Sequence, residues 1–254
     1  MAVWNKIKFF YDTMLGAAGS TLVAASTASG DYSTSYLYNM LETNMWKAAV
    51  STSPQTIDYA DSVSHSTDFL AIIGHNLSGV QIDLQFWNGT TYQSVLTFTP
   101  ANNNAILKEF TAQGAPAWRL ILQKTGGFTA PPYMTLCIWG NKTELDYATT
   151  SFDPHEQSVK AAVNLSQGGY VTGVHTQYTE RSLMLTFEDA DATLYSKIKT
   201  WWETSGLKNF FVAWENANNL NDVWLMRPDT KFSNPLTNGG IYRNITLNLK
   251  GRKE

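Results

Sequence analysis

Cysteine is almost missing from this chain of 254 residues, with Cys137 the only one. No intramolecular disulfide is possible, which excludes a small, disulfide-stapled secreted module. Cys137 lies inside the apolar run 134–139, where a thiol reads as core packing and not as a nucleophile. Charge is scarce as well. Asp, Glu, Lys and Arg supply 15% of residues and the net charge is −3, well below the usual charged fraction. Lys and Arg form no cluster anywhere, so nucleic-acid binding through a basic patch is not expected. No apolar stretch approaches the roughly 20 residues that span a bilayer, and membrane insertion is not expected. The first 25 residues imitate a secretion signal only faintly, because Asp12 interrupts what would be its apolar centre.

Catalytic patterns are wanting too. There is no Gly-rich phosphate loop, no His-Glu-x-x-His, no Gly-x-Ser-x-Gly and no paired-Cys metal spacing. The four histidines, His65, His75, His155 and His175, share no spacing that would put two on one helical face. Glu188, Asp189 and Asp191 cluster, and a glycan-cleaving enzyme needs only two carboxylates about 5–10 Å apart. Their place at the start of a helix explains them better as capping residues. Asp58, Asp61 and Asp68 flank a predicted loop and offer hard oxygens to a cation, but they read as solvated turn residues. No catalytic residue, metal site or cofactor is expected.

What is present is a 43% hydrophobic fraction set among abundant Ser, Thr, Asn and Gly, the mix of a β-protein with polar turns. Residues 80–86 alternate apolar and polar with period two, the mark of a strand with one buried face. Asn88-Gly89 follows and predicts a type I′ hairpin turn into a strand over 92–98. Further strands are predicted at 69–74, 118–123 and 134–139. Around 147–158 the chain turns polar and reaches Pro154, which predicts a domain boundary.

Beyond it, Leu194, Ile198, Trp201 and Trp202 form one apolar stripe at helical spacing. Asp189 or Asp191 can cap this helix and Gly206 can end it. Strands are predicted around it at 182–187, 210–214, 223–227 and 241–250. The fold class is therefore mainly β. A β-sandwich over 1–147, a jelly roll by the resemblance described below, precedes a smaller, β-rich α+β domain over 152–254, whose one main helix covers about 190–204.

Nine tryptophans must divide between core and surface. Trp118 and Trp201 read as core. Trp87, Tyr92 and Tyr133 adjoin turns and are the candidate ligand-binding residues, for a glycan or a protein.

Two resemblances add to this. Residues 69–78, FLAIIGHNLS, with Tyr36–Leu41 leading to Trp46 and with Trp118–Leu122, resemble the discoidin-like jelly rolls of the galactose-binding-like fold. That resemblance covers most of 1–145 and implies a sandwich whose ligands vary among glycans, lipids and proteins. It also implies an interior position for Arg119, while the family's frequent Cys–Cys bridge is absent here.

The second half resembles the C-terminal part of minor tail proteins of long-tailed bacteriophages. The resemblance is carried by Gly168–Gly173, Phe187–Asp191, Lys208–Glu215, Leu225–Pro228 and Asn234–Arg243. It implies a distal-tail-like structural subunit of a tail tip or baseplate that self-associates in a ring. Its partners would be tube and hub proteins, and a host-surface glycan for the sandwich. Assembly in the host cytoplasm and residence in the virion follow. Arg227, Asn238, Tyr242 and Arg243 are the candidate assembly residues. The alternative is a free carbohydrate-binding module with no virion role. Neither reading is an enzyme.

Overall fold

The computed structural model describes residues 6–154, 156–215, 223–229 and 231–252; His155 lies outside them. The chain forms two compact units, one built on Lys8–Thr143 and the other on Glu144–Trp214 and the strands from Trp224 onward. The architecture is mainly β with one α-helix.

The first unit contains β1 (Lys8–Thr13), β2 (Thr21–Ala24), β3 (Trp46–Lys47), β4 (Gln55–His75), β5 (Gln81–Trp87), β6 (Tyr92–Phe98), β7 (Ile106–Gln123) and β8 (Tyr133–Glu144). Its strand order is β6-β5-β7-β4-β8-β1, with β2 beside β4 and β3 beside β8. The two long strands organise it. The first part of β4, Gln55–Ala60, pairs antiparallel with Ala117–Leu122 of β7, and β5, β6 and β2 extend that layer. The later part, Phe69–Ile72, pairs with 106–109 of β7 and 137–140 of β8.

Register shifts between Ala60 and His65 and between Thr67 and Phe69 separate the two parts. An extra residue bends and twists a strand, so β4 and β7 leave one layer of the sandwich and join the other. Asp58, Asp61 and Asp68 therefore lie within β4, not beside a loop. The reason is that the strand is 21 residues long; the predicted strand at 69–74 is only its last part. Each carboxylate has a basic partner: Arg119 for Asp58, His65 for Asp61, and for Asp68 Lys142, which it shares with Glu109.

Alternation builds the core of this unit. Ile57, Tyr59, Ile82, Leu84, Trp118 and Leu120 point inward and are buried. Phe69–Ile73 is buried at every position, which explains why it reads as an unbroken apolar run. The β5–β6 connection keeps its place but not its predicted type. Gly89 has φ +98° while Asn88 stays at negative φ, so the two positive φ values of a type I′ turn do not occur. Instead Asn88 Oδ1 accepts from the N–H groups of Thr90 and Thr91 at 2.9 Å, an Asx cap over a four-residue connection.

The second unit contains β9 (Gln157–Leu165), β10 (Val171–Ala190), α1 (Ala192–Ser205), β11 (Phe210–Ala213), β12 (Trp224–Pro228), β13 (Leu236–Thr237) and β14 (Tyr242–Arg252). Its order is β11-β12-β14-β10-β9, with β13 beside the start of β14. Asp191 caps α1 by accepting from the Leu194 N–H at 2.7 Å, and Gly206 ends it by donating to the Trp202 carbonyl at 3.0 Å. The predicted stripe divides. Leu194, Ile198 and Trp201 are buried, whereas Trp202 stays partly exposed and stacks on Phe232 at 5.4 Å. Phe210, Trp214 and Trp224 complete an aromatic core, with the Arg181 guanidinium 4.3 Å above the Trp224 ring.

Candidate functional site

The outward face of the β6-β5-β7-β4 layer carries a connected row of side chains. Paired residues share a face, and the ladder sets Trp87 opposite Tyr92, Gln85 opposite Ser94 and Arg119, and Arg119 opposite Asp58. The Trp87 and Tyr92 rings meet edge to face at 5.2 Å. The Arg119 guanidinium lies 4.2 Å over the Tyr92 ring while its Nε donates to Asp58 Oδ1. Asp83, on the same face, accepts from Gln85 Nε2 at 2.6 Å, from Thr97 Oγ1 at 3.0 Å and from Ser94 Oγ. All of this is half-buried or exposed. The face can offer an aromatic edge, a cation and several hydroxyl and carboxylate acceptors to a polyhydroxylated or polar partner.

Arg119 is a correction to the interior position that the jelly-roll resemblance implies. Its side chain is 35% exposed, because it alternates with the inward Trp118 and Leu120 along β7. That alternation was readable in residues 118–122, so the outward phase of Arg119 carried a signal. Asp58 and Asp83 had no comparable signal, since their faces depend on cross-strand register.

Of the three predicted ligand residues, the structure joins two. Tyr133 lies elsewhere: it opposes Lys47 on β3 and its N–H donates to Asn76 Oδ1 at 2.9 Å. The predicted assembly residues also scatter. Asn238 donates to Asp189 Oδ1 at 3.2 Å. Arg243 lies 4.1 Å over the Tyr195 ring and donates to the Asn234 carbonyl at 3.3 Å. Arg227 and Tyr242 are exposed, on β12 and at the start of β14. Two of the three carboxylates at the helix start have structural partners, with Asp191 on the helix N-terminus and Asp189 on Thr237 and Asn238. Among the described residues, no group of three or more His, Cys, Asp or Glu is placed to hold a metal ion.

A second surface belongs to the other unit. The whole of β9 and nearly all of Val171–Tyr178 on β10 are exposed, on both faces of a two-stranded ribbon. Val159, Val163, Leu165, Val171 and Val174 are each between 53% and 62% exposed. No strand is expected from the sequence over 157–165 or 171–178, and the strand expected at 182–187 is only the last part of β10.

No family model and no curated protein matches the sequence. Solved structures are similar over about half of it. One is CpGH89CBM32-5 from Clostridium perfringens, in complex with GalNAc-β-1,3-galactose. It is 13% identical, with TM-score 0.41, covering 49% of this chain and 96% of that one. Chitosan-binding module 1 from a chitosanase/glucanase of Paenibacillus sp. IK-5 is 18% identical, with TM-score 0.41, covering 48% and 96%. The family 32 carbohydrate-binding module of C. perfringens NanJ, in complex with galactose, is 15% identical, with TM-score 0.42, covering 52% and 98%.

Proposed function

We propose that the chain is a structural subunit of a phage tail tip or baseplate, assembling with copies of itself in a ring through its second unit and displaying the first unit as a β-sandwich. The observation that carries this reading is the bare β9–β10 ribbon. An isolated two-stranded ribbon is at best marginally stable in water, and a row of four exposed valines and a leucine is a liability in a monomer. Both facts make sense in a chain whose ribbon is covered after assembly. The resemblance of 152–254 to minor tail proteins points the same way. The role is assembly and binding, not catalysis, with tube and hub proteins as further partners and the virion tail as the site of residence.

Native mass spectrometry and negative-stain electron microscopy of the purified chain test it. A discrete closed oligomer is the expected result. A strict monomer at high concentration, together with absence of the chain from purified particles, would overturn the reading.

A second reading, a free carbohydrate-binding module, is favoured by the Trp87–Tyr92–Arg119 row. It predicts glycan-array signals that vanish in Trp87→Ala and Tyr92→Ala while the monomer remains the only species. The two readings share one arm: a displayed sandwich with a weak glycan site would show the same losses from within an oligomer.

A further inference from the structure

The outward positions of β5 form one row. Ile82 and Leu84 are buried, so Asp83, Gln85 and Trp87 face away from the core. The ladder sets Thr97, Ser94 and Tyr92 of β6 opposite them, and β6 absorbs the extra residue at the register shift. On the other side Arg119 of β7 opposes Gln85, and Asp58 of β4 opposes Arg119. From Trp87 to Asp83 the row is roughly 14 Å long at about 3.4 Å per residue, room for more than one sugar ring.

Its two ends differ in chemistry. At one end Trp87 and Tyr92 meet edge to face, and the Arg119 guanidinium covers one face of Tyr92. Asp58 holds Arg119 there by an ion pair, so the charges of those two residues cancel. At the other end stands Asp83. Its Oδ1 accepts from the Ser94 and Thr97 hydroxyls and its Oδ2 from Gln85 Nε2. All three donors are neutral. Among the described residues no Lys, Arg or His forms an ion pair with Asp83. A carboxylate has about four acceptor positions, so one position and the whole charge are left for a partner.

Two carboxylates and one guanidinium give this face one uncancelled negative charge, fixed in place by three hydrogen bonds. An anionic sugar would meet repulsion at Asp83. A neutral sugar would leave the charge unmatched. A protonated amine matches it, and a hydrogen bond between two ionised groups is among the stronger kinds. A carboxylate already held in position also loses little freedom when the partner arrives.

We infer that this row binds an oligosaccharide lying along β5, with one ring against Trp87 and Tyr92 and the protonated amino group of a neighbouring amino sugar on Asp83. Arg119 and Asp58 are positioning residues that hold the aromatic end. The inference rests on the glycan-binding reading above and names the class of sugar. It applies equally to a free module and to a displayed sandwich.

Isothermal titration calorimetry of the full chain tests it, with a glucosamine tetrasaccharide and its fully N-acetylated counterpart as the two probes. At acidic pH the glucosamine form should bind about tenfold more tightly, the size of one charge-assisted hydrogen bond on a solvent-exposed face. That preference should shrink as pH rises and the sugar amine loses its proton, and as salt screens the pair. Asp83→Asn keeps the shape, removes the charge and should bring the two affinities together. Trp87→Ala should weaken both probes in parallel, with unchanged far-ultraviolet circular dichroism for each variant. Equal affinity of the unaltered chain for both probes would overturn the inference and leave the glycan-binding reading standing. A preference that survives Asp83→Asn means that another carboxylate holds the amine. Affinity untouched by Trp87→Ala means that the polycation is held by charge alone, and either result sinks the site. Binding of neither probe removes the inference, and a blank glycan array would then remove the glycan-binding reading as well.

Discussion

His75 shows how much a single buried ring can report. It is 3% exposed, its Nε2 donates to the Asn104 carbonyl at 2.9 Å and its Nδ1 accepts from the Leu77 N–H at 3.1 Å. Burial holds the imidazole below its ordinary range, against the opposing pull of the Asn104 carbonyl. A proton on Nδ1 would also break the bond from Leu77. Because the folded value is depressed, this contribution to stability is complete above the unfolded value of about 6.5. It is lost as pH falls below that. Asp61 acts in the same direction further down. Its hydrogen bond to His65 is the largest cause holding it at about 2, so its contribution is lost between about 4 and 2. Urea midpoints measured against pH should fall in two stages, and His75→Gln should remove the upper one.

Gly140 makes a steric prediction at the same scale. A Cβ there would meet the Asp12 carbonyl oxygen at 2.0 Å, so the backbone of β1 itself sits where a side chain would be. Gly140→Ala should cost about 2 kcal/mol or more by overpacking. Gly79→Ala is a useful contrast, having no neighbour within 4 Å but φ +70°; its loss should come from backbone strain alone, about 1 kcal/mol. Denaturant titration of both variants distinguishes the two mechanisms by size.

Among the elements, α1 is the one whose determinants are all local, and its tests can be separated. Asp191→Ala removes one cap and should cost about 1 kcal/mol. Trp201 is fully buried and meets Phe210 at 5.0 Å, so Trp201→Ala should cost about 3–5 kcal/mol. A smaller loss for Trp201 than for Asp191 in equilibrium unfolding would mean that the helix packs less firmly than its burial indicates. The strands behaved differently. Strand positions at 80–86 and 92–98 were legible because alternation and turn residues agreed. The lengths of β4, β7 and β10 were not. Each passes through polar or small residues, such as Asp61–Ser66, where no apolar periodicity survives and only the partner strand's ladder keeps the backbone extended.

For the molecule as a whole, the bare β9–β10 ribbon is the feature on which the proposed assembly rests. Ser158 and Glu180 oppose each other across its base. Residues between them can therefore be replaced by a two-residue Asn-Gly turn. Since the removed segment buries almost nothing, the shortened chain should keep its thermal midpoint within a few degrees. It should lose self-association, as read by sedimentation velocity. A large drop in the midpoint would mean that the ribbon supports the fold of its own copy.

Composition and periodicity by themselves determined that this is a mainly β protein with one capped helix, expected at about 190–204 and found at 192–205. They also marked Trp87 and Tyr92 as residues beside a turn. These properties are local: caps, alternation and turn chemistry act within a few residues. Tertiary structure alone decided that Arg119 crosses to Tyr92, that Tyr133 lies apart, and that Asp58, Asp61 and Asp68 belong to a strand. It also decided that the core face of β10 runs on into an uncovered ribbon. Each of these depends on which strands pair and in which register. A shift of one residue turns every side chain to the opposite face, and register is settled by partners far away in the chain.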